Sequence, residues 1–375
     1  MKFICNKDEF LKNAKYAKGA VSSKQAMQIL SNFLITAKDN IISISSTDLE
    51  LSVITTFSGE VEVPGSITVH ATKITDIIDT YPSTDLYFNL DLRNWLTITS
   101  TDSNIKTKHR IQGLPAEDYP EVRHFIEENS FKIDRTLLKT MIKKTIHATA
   151  KEEQRPHLKG IFFENKEDDN KLILVATDGK RLTKIESEVE SLKDVKPFEI
   201  IVPRKVLDEL LNVLSEEGDC TVSVMENKLY FKVADVEIAT NLIEGQFPSY
   251  DKVIPESFDH NITVETEILY DALKRTSGML DKNNVQIKLD ISKDGLTIIG
   301  NNPEYGESRD EINIEYDGEA KILGFNYNFL LDALKEIEDK ELKIEMSTQA
   351  LPISIRGSNT YNYINIVMPM RLENE

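Results

Sequence analysis

Two aspartates at matching positions are the residues whose type and spacing could most readily do chemistry. Asp48 follows Thr47 and Asp178 follows Thr177, each in a polar turn between strand-like runs. A carboxylate pair could serve a hydrolase as general acid and base, with or without a metal ion. An Asx turn, in which the carboxylate accepts a hydrogen bond from a nearby backbone N–H, accounts for both residues more simply. We therefore predict turns here and keep a carboxylate-dependent hydrolase as a weaker alternative.

The histidines and the short motifs give no support to an enzyme. None of the histidines stands four residues from another or beside a cysteine: His70, His109, His124, His147, His157 and His260. The sequence also lacks a phosphate-binding P-loop, a GxSxG nucleophile turn and a GxGxxG dinucleotide turn. We therefore expect no catalysis, no metal site and no cofactor.

Composition excludes further classes of protein. The 375 residues carry 63 acidic and 45 basic side chains, a formal charge of −18, which excludes a basic protein that coats nucleic acid. Cys5 and Cys220 lie far apart and give no disulfide framework. Charged residues at positions 7–9 interrupt any apolar segment near the start of the sequence, so we expect no secretory leader. No run of 18 apolar residues occurs, so we expect no membrane span. The sequence predicts a cytoplasmic protein of two to four domains.

Lysines nevertheless recur at helical spacing, opposite apolar residues. They form two groups, Lys12, Lys15 and Lys18 and then Lys139, Lys143 and Lys144. Segment 134–151 contains five basic residues and one acidic residue. A solvated helix face is the plainer interpretation. The functional interpretation is a surface that faces nucleic-acid phosphates without reading base sequence.

Internal repetition organises the whole chain. A strand followed by a helix with an aspartate occurs three times, at Asp76, Asp208 and Asp332. The polar turns at Thr47-Asp48, Thr177-Asp178 and Asn302-Pro303 recur at a similar interval, as do the pairs Tyr119-Pro120, Phe247-Pro248 and Met368-Pro369. The period is about 125 residues, and repeats of this kind indicate copies of one structural unit.

Each copy opens with a segment of helical periodicity. The apolar sets are Phe10, Ala14, Ala17 and Val21; Leu137, Leu138, Met141, Ile142, Thr145 and Ile146; and Ile268, Leu269, Ala272, Leu273 and Thr276. Alternating runs such as KLILVAT and KLYFKV predict many strands, with few helices between them. We therefore predict an α+β fold of three similar domains, each with two helices and antiparallel sheets. The predicted domains are residues 1–122, 129–250 and 255–375.

Several segments match one protein family in order and spacing. They include ATDGKRL at 176–182, FPSYDKVIP at 247–255 and MPMRL at 368–372. With these, the chain resembles the bacterial sliding clamps, the beta subunits of DNA polymerase III, over essentially its whole length. The resemblance implies a head-to-tail homodimer that closes into a ring, with helices lining the hole and sheets outside.

The resemblance also implies a function and its partners. It implies a non-catalytic processivity factor that encircles duplex DNA, independently of sequence, and tethers the replicative polymerase. Further implied partners are the clamp loader, other polymerases and repair proteins with short clamp-binding motifs. The alternative is an acidic three-repeat scaffold that binds peptides and does not encircle DNA.

Site residues follow from the resemblance, position by position. The implied DNA-binding residues are Lys24, Lys73, Arg155, Arg204 and Lys205, with Lys12, Lys15, Lys139 and Lys143 from the helices. The implied partner groove comprises Leu158, Thr177, Gly179, Arg181, Leu182, Pro248, Lys252, Val253, Ile366, Met368, Pro369, Met370 and Arg371. We place the dimer interface, by position, at His109, Ile111, Met279 and Leu280.

Three departures from the family pattern add charge around the groove. Lys180 stands where histidine or an aromatic residue is usual, and Lys252 stands where arginine is common. Residues 373–375 extend beyond the usual ending. Because lysine and arginine offer different donor geometry, the location of the groove is a firmer expectation than its peptide preference.

Overall fold

The computed structural model describes residues 1–22, 27–151, 154–166, 170–214, 217–316, 318–347, 352–360 and 362–372. Two α-helices occur in each predicted domain: α1 (Lys7–Ala17), α2 (Ala71–Asp79), α3 (Arg135–Ile146), α4 (Arg204–Val213), α5 (Thr266–Ser277) and α6 (Tyr327–Lys335). Within the described ranges, no helix has the length and apolarity needed to cross a membrane.

Strands make up most of the remaining chain. The first predicted domain contains β1 (Lys2–Asn6), β2 (Asn32–Lys38), β3 (Ile41–Thr47), β4 (Leu51–Ser58), β5 (Glu60–Val63), β6 (Gly65–His70), β7 (Asp85–Leu90), β8 (Trp95–Ser100) and β9 (Lys108–Gln112). The second contains β10 (Ser130–Asp134), β11 (Gly160–Asn165), β12 (Lys171–Thr177), β13 (Arg181–Glu188), β14 (Phe198–Pro203), β15 (Asp219–Met225), β16 (Lys228–Val233) and β17 (Val236–Asn241). The third contains β18 (His260–Glu265), β19 (Gln286–Ser292), β20 (Gly295–Asn302), β21 (Gly306–Ile312), β22 (Lys321–Asn326), β23 (Glu341–Met346), β24 (Ile353–Gly357) and β25 (Tyr363–Val367).

These strands form four sheets. Their strand orders are β5-β1-β7-β8-β9, β10-β15-β16-β17-β4-β3-β2-β6, β14-β11-β12-β13-β25-β24-β23-β18 and β21-β20-β19-β22. Neighbouring strands pair antiparallel, as at β1–β7 and β13–β25. The predicted antiparallel α+β architecture is confirmed.

The chain divides into two compact units. The first comprises residues 1–139, 194–196 and 205–242, and the second comprises 140–193, 197–204 and 243–375. In the first unit, β4 pairs with β17, so that Leu51 lies opposite Thr240. In the second unit, β13 pairs with β25, so that Leu182 lies opposite Ile366. Each eight-stranded sheet thus joins strands of two predicted domains, and the predicted domain limits stay a prediction.

The first helix of each predicted domain has one burial pattern. All three helices bury the side chains that stand three, six, seven and ten residues after the first helical residue: Phe10, Asn13, Ala14 and Ala17; Leu138, Met141, Ile142 and Thr145; Leu269, Ala272, Leu273 and Thr276. This spacing places one stripe of each helix against a sheet. In α1, the Asn6 side chain also accepts hydrogen bonds from the backbone N–H groups of Asp8 and Glu9, at 3.0 and 3.4 Å, and caps the helix.

Two residues of the predicted apolar faces do not belong to the buried stripe of a helix. Val21 follows the helix rather than belonging to it, because α1 ends at Ala17 and a short 3₁₀ turn spans Lys18–Ala20. Ile268 lies on α5 but is 45% exposed, so the predicted apolar stripe is narrower than expected. Both cysteines are buried free thiols.

Helix α5 provides a matched pair of substitutions that tests this assignment. Leu273→Ala should lower the free energy of unfolding by about 2–5 kcal/mol, because it removes a fully packed side chain and leaves a cavity. Ile268→Ala should change it by less than about 0.5 kcal/mol, since an exposed side chain loses few contacts. Urea denaturation of the two variants measures the difference. Equal effects would contradict the orientation of the helix.

Candidate functional site

The two aspartate turns have the predicted structure. In the second unit, Asp178 Oδ1 accepts hydrogen bonds from the backbone N–H groups of Lys180 and Arg181, at 2.9 and 3.0 Å. In the first unit, Asp48 Oδ1 accepts from the backbone N–H groups of Glu50 and Leu51, at 3.1 and 2.8 Å. The prediction of Asx turns is confirmed. Each remaining carboxylate oxygen meets a cation, so both aspartates have structural partners.

The turn after β12 lies beside the C-terminal segment of the chain. The backbone N–H of Met368 donates to the carbonyl of Lys180 at 2.9 Å. Farther along, the backbone N–H of Met370 donates to the carbonyl of Gly324 at 2.7 Å. The first bond continues the β13–β25 pairing and brings the two main parts of the predicted partner groove together, and the second joins the C-terminal segment to β22.

Gly324 permits the close approach of this segment to β22. A Cβ atom at position 324 would lie 2.9 Å from Leu372 Cδ2 and 3.1 Å from the Met370 carbonyl oxygen. Real Cβ atoms essentially never approach another heavy atom more closely than 3.0 Å. The absence of a side chain at position 324 thus leaves room for the C-terminal segment to cross β22 closely.

The predicted groove residues include a buried apolar set, which would form its floor. Leu158, Leu182 and Ile366 are only 1%, 3% and 1% exposed. Beside Leu182 and Ile366, in the same apolar cluster, the rings of Phe162 and Phe247 stack with centroids 4.8 Å apart. This packing fixes the backbone on which the outer residues stand.

Its rim is exposed and also largely apolar. Val253, Met368 and Met370 are 41%, 42% and 38% exposed. Three residues close to these in the sequence are also exposed: Pro248, Lys252 and Arg371. Methionine side chains are flexible and polarisable, so they adapt to differently shaped apolar partners. The arrangement suits a short apolar peptide with polar ends.

Arg181 fixes the turn after β12, which belongs to the predicted groove. Its side chain is buried, and its Nε lies 3.1 Å from Asp178 Oδ2 while its Nη1 lies 2.7 Å from Asp332 Oδ2. The guanidinium also lies 4.4 Å from the centre of the Phe329 ring. Because these contacts occupy its donors, Arg181 holds the turn on α6. The Arg155 side chain lies against the same turn. If residue 179 carried a Cβ atom, that atom would lie 3.1 Å from Arg155 Nη2.

His147 lies within the same polar network. Its carbonyl accepts a hydrogen bond from Arg181 Nη2 at 2.5 Å, and its Nε2 lies 3.2 Å from Thr183 Oγ1. Burial, reinforced by the positive charge of Arg181, lowers the pKa of His147 to about 4. The ring is therefore neutral in the folded protein near neutral pH.

The predicted DNA-binding residues differ in exposure. Lys12, Lys15, Lys73, Lys143, Arg155 and Lys205 are exposed, while Lys139 and Arg204 are partly buried. Arg204 Nη1 donates to the Ile146 carbonyl at 2.9 Å and to Thr149 Oγ1 at 2.7 Å, and so secures the end of α3. The Lys205 ammonium contacts Asp48. Lys24 and residues 373–375 lie outside the described residues.

The predicted dimer residues lie at two places. His109 and Ile111 belong to β9, an edge strand of the five-stranded sheet, and Ile111 packs partly against the core. Met279 and Leu280 follow the end of α5 and are partly buried. β21 is an edge of the four-stranded sheet.

Sequence reasoning missed the groups that support the site. The repeat placed Asp332 on a helix but gave it no partner, because an ion pair across 151 residues of chain leaves no local pattern. The Phe162–Phe247 stack could have been expected from the buried strand GIFFE, but not its position beneath the groove.

The buried histidine predicts a pH dependence. Its pKa is about 4 in the folded protein and about 6.5 when unfolded, so the unfolded chain binds the extra proton between these values. Stability should therefore fall as the pH drops from about 6.5 to 4, by roughly 2–3 kcal/mol from this group. His147→Gln should lose that part of the pH profile in urea denaturation. His124→Gln, at an exposed site, should keep it; two identical profiles would contradict the assignment.

Comparison with known proteins places the whole chain in one family. The model for the N-terminal domain of the DNA polymerase III beta subunit matches residues 1–123, and those for its central and C-terminal domains match 132–249 and 251–371. The curated beta sliding clamp of Treponema pallidum is 29% identical over 378 residues, and the match covers 100% of both chains.

Solved structures agree in fold over the same length. The sliding clamp from Bartonella birtlesii, bound to griselimycin, has a TM-score of 0.93 and 30% identity, covering 99% of this chain and 100% of that one. The clamp from Bacillus subtilis has a TM-score of 0.93 and 26% identity, covering 100% of both chains. The chain belongs to the family of DNA polymerase III beta subunits, the beta sliding clamps.

Proposed function

We propose that two copies of this protein close head to tail around duplex DNA and tether the replicative polymerase to it. The protein is a processivity factor of DNA replication. The observation that carries this function is the run of three consecutive clamp domains over residues 1–371. The protein acts in the cytoplasm and catalyses no reaction of its own.

Strand pairing supports a head-to-tail dimer. Within the chain, β4 pairs with β17 and β13 pairs with β25. β4 and β13 hold the same place in the first and second repeats, and β17 and β25 hold the same place in the second and third. The next pair in this series is β21 of one copy with β9 of another, and both are sheet edges. An unpaired edge strand is a ready template for another chain.

The two edges carry opposite charge. β9 contains Lys108 and Arg110 and no acidic residue, whereas β21 contains Glu307, Asp310 and Glu311 with a single Arg309. Opposite charges across paired strands stabilise them. His109 and Ile111 belong to this junction on one side, and Met279 and Leu280 at the end of α5 support it on the other. The contact is heterologous, because it joins different surfaces of the two copies. Two copies form a ring when the rotation between them allows both β9–β21 contacts to form at once.

The proposed contact with DNA is electrostatic and weak. The basic residues of the helices attract phosphates without reading bases, while the total charge of −18 disfavours adhesion elsewhere. Lys12, Lys15, Lys24, Lys73, Lys139 and Lys143 form the proposed DNA-facing set. Arg204 and Lys205 belong to it as well, with part of their charge engaged by the protein. Retention then rests on the closed ring.

The groove binds the partners. Its rim accepts the short apolar motifs of the replicative polymerase, the clamp loader, and other polymerases and repair proteins. Arg155, which belongs to the proposed DNA-facing set, lies beside Gly179 and serves this groove as well. The groove residues Leu158, Leu182 and Ile366 form the floor, and Thr177, Gly179 and Arg181 shape its turn.

Encirclement predicts a dependence on DNA topology. The clamp, loaded by its loader onto a nicked circular duplex, should stay on the DNA at raised salt and leave when a restriction enzyme cuts the circle. Charge contacts alone would lose affinity steeply with salt, at a log–log slope of about −0.9 per phosphate. Gel filtration of the loaded complex measures retention. Equal loss from circles and linear DNA would favour the scaffold that does not encircle DNA.

The edge charges provide a control for ring closure. Lys108→Glu with Arg110→Glu should abolish retention on circles, because like charges then meet at the junction. Adding Glu307→Lys and Glu311→Lys should restore it. Sedimentation equilibrium should show the corresponding loss and recovery of the dimer.

The groove predicts a separable loss of partner binding. Met370→Ala should weaken binding of the clamp-binding peptide of the cognate polymerase roughly tenfold, because truncating an anchoring side chain costs about 1–2 kcal/mol. The dimer should be unaffected. Ile322→Ala, a 50% exposed residue of β22, is the matched control and should bind normally. Calorimetry that finds no difference between the two variants would place the peptide site elsewhere.

A further inference from the structure

A polar cavity of about 300 Å³ lies beside the C-terminal segment in the second unit. Met370 and Arg371 line it on one side, and residues of β19, β20 and the loop before β19 line it on the other. Both Met370 and Arg371 also belong to the predicted partner groove. The cavity therefore adjoins the groove and shares two residues with it.

Strand register places Lys288 beside the C-terminal segment. Lys288 of β19 lies opposite Gly324 of β22, and the backbone N–H of Met370 donates to the carbonyl of that glycine at 2.7 Å. On its other side, Lys288 lies opposite Ile299 of β20, which also lines the cavity. The residues before and after Lys288 on β19 are buried, so Lys288 belongs to the outer face of this sheet.

Carboxamide side chains supply much of the remaining lining. They are Asn283, Asn284, Gln286 and Asn301. Gln286 Nε2 donates to the Arg371 carbonyl at 2.8 Å and so holds the C-terminal segment against β19. Asn301 is exposed. Carboxamide N–H groups donate hydrogen bonds to carboxylate oxygens, so the lining offers donors as well as charge.

The charge of this lining is opposite to that of the whole protein. Lys288 and Arg371 line the cavity, and none of the described residues around it is acidic, in a chain with 63 acidic side chains. Within the described ranges, neither cation belongs to an ion pair. Asp281 and Asp290 lie nearby in the chain but do not line the cavity, and Asp281 Oδ1 accepts from two backbone N–H groups of its own loop at 2.7 and 3.0 Å. The cavity therefore suits an anionic group.

We propose that this cavity binds a carboxylate side chain of a partner peptide, next to the apolar motif that occupies the groove. The inference rests on the proposed groove and adds a determinant of its specificity, because partners with Asp or Glu beside the motif then bind more tightly. Continuity selects a peptide as the occupant, since Met370 and Arg371 line both surfaces. A lysine ammonium acts as a point charge on a flexible stem, which suits a flanking carboxylate without fixed geometry.

Peptides that differ only in flanking charge test the cavity. The probes are the clamp-binding peptide of the cognate polymerase extended by Glu-Glu or by Gln-Gln, at its N-terminal or its C-terminal end. In fluorescence anisotropy with the full-length protein, the Glu-Glu form should bind roughly two- to fivefold more tightly than the Gln-Gln form at one of the two ends, as expected of an exposed ion pair. Raised salt should reduce this preference, because ions screen exposed charges.

Substitutions locate the origin of the preference. Lys288→Met should abolish it and leave binding of the unextended peptide unchanged, whereas Lys288→Arg should retain it. Lys293→Met makes the same charge change at an exposed lysine in the turn between β19 and β20, and should also retain it. Asn301→Asp should disfavour the Glu-Glu form by placing a carboxylate at the cavity, and it tests the site without removing a lysine.

Failure of the inference is distinct from failure of the groove. An equal preference in wild type, Lys288→Met and Asn301→Asp would overturn the inference and leave peptide binding in place, as would the same affinity for both forms at both ends. Weaker binding of the unextended peptide by Lys288→Met would also overturn it, by assigning the lysine to the apolar motif. Weaker binding of duplex DNA with an unchanged peptide preference would assign the cavity to nucleic acid instead. Loss of all binding of the unextended peptide to wild type would contradict the proposed groove itself.

Discussion

Continuous strand pairing between successive repeats is the constraint on which the rest of the structure depends. A strand at a sheet edge leaves backbone N–H and C=O groups without protein partners. The chain pairs β4 with β17 and β13 with β25, and so satisfies these groups at two of the three equivalent junctions. The remaining pair of edges, β9 and β21, belongs to different ends of the chain. One geometric rule thus positions the proposed groove and leaves one pair of strand edges for the proposed contact with a second copy.

The proposed partner groove is a product of this rule. Pairing Leu182 with Ile366 places the turn after β12 next to the C-terminal segment. Arg181 then secures the turn through Asp178 and Asp332, and Gly324 lets the segment cross β22 closely. The exposed apolar rim can remain without a partner in the free protein because the backbone beneath it is held by strand hydrogen bonds and by the ion pairs of Arg181.

The sequence predicted the features that depend on local pattern. Helical periodicity located α1, α3 and α5, alternation located strands such as β12 and β16, and the Thr-Asp pairs identified both turns. Contacts across long separations could not be predicted. The partner of Asp48 is Lys205, 157 residues away, and neither residue is marked by its neighbours. Ile268 was predicted to lie on the apolar face of its helix but is 45% exposed. An apolar residue beside a buried stripe has the same periodicity whether or not a sheet covers it.

The two methionines on the groove rim have a chemical consequence. Oxidation of a thioether to the sulfoxide turns a flexible apolar side chain into a polar one. Met368 and Met370 are exposed to oxidants, whereas the thiols of Cys5 and Cys220 are buried. We therefore expect mild peroxide to make the rim polar while the core stays chemically intact. Oxidation at the proposed groove would then weaken peptide binding without unfolding the protein, and methionine sulfoxide reductases could reverse the loss.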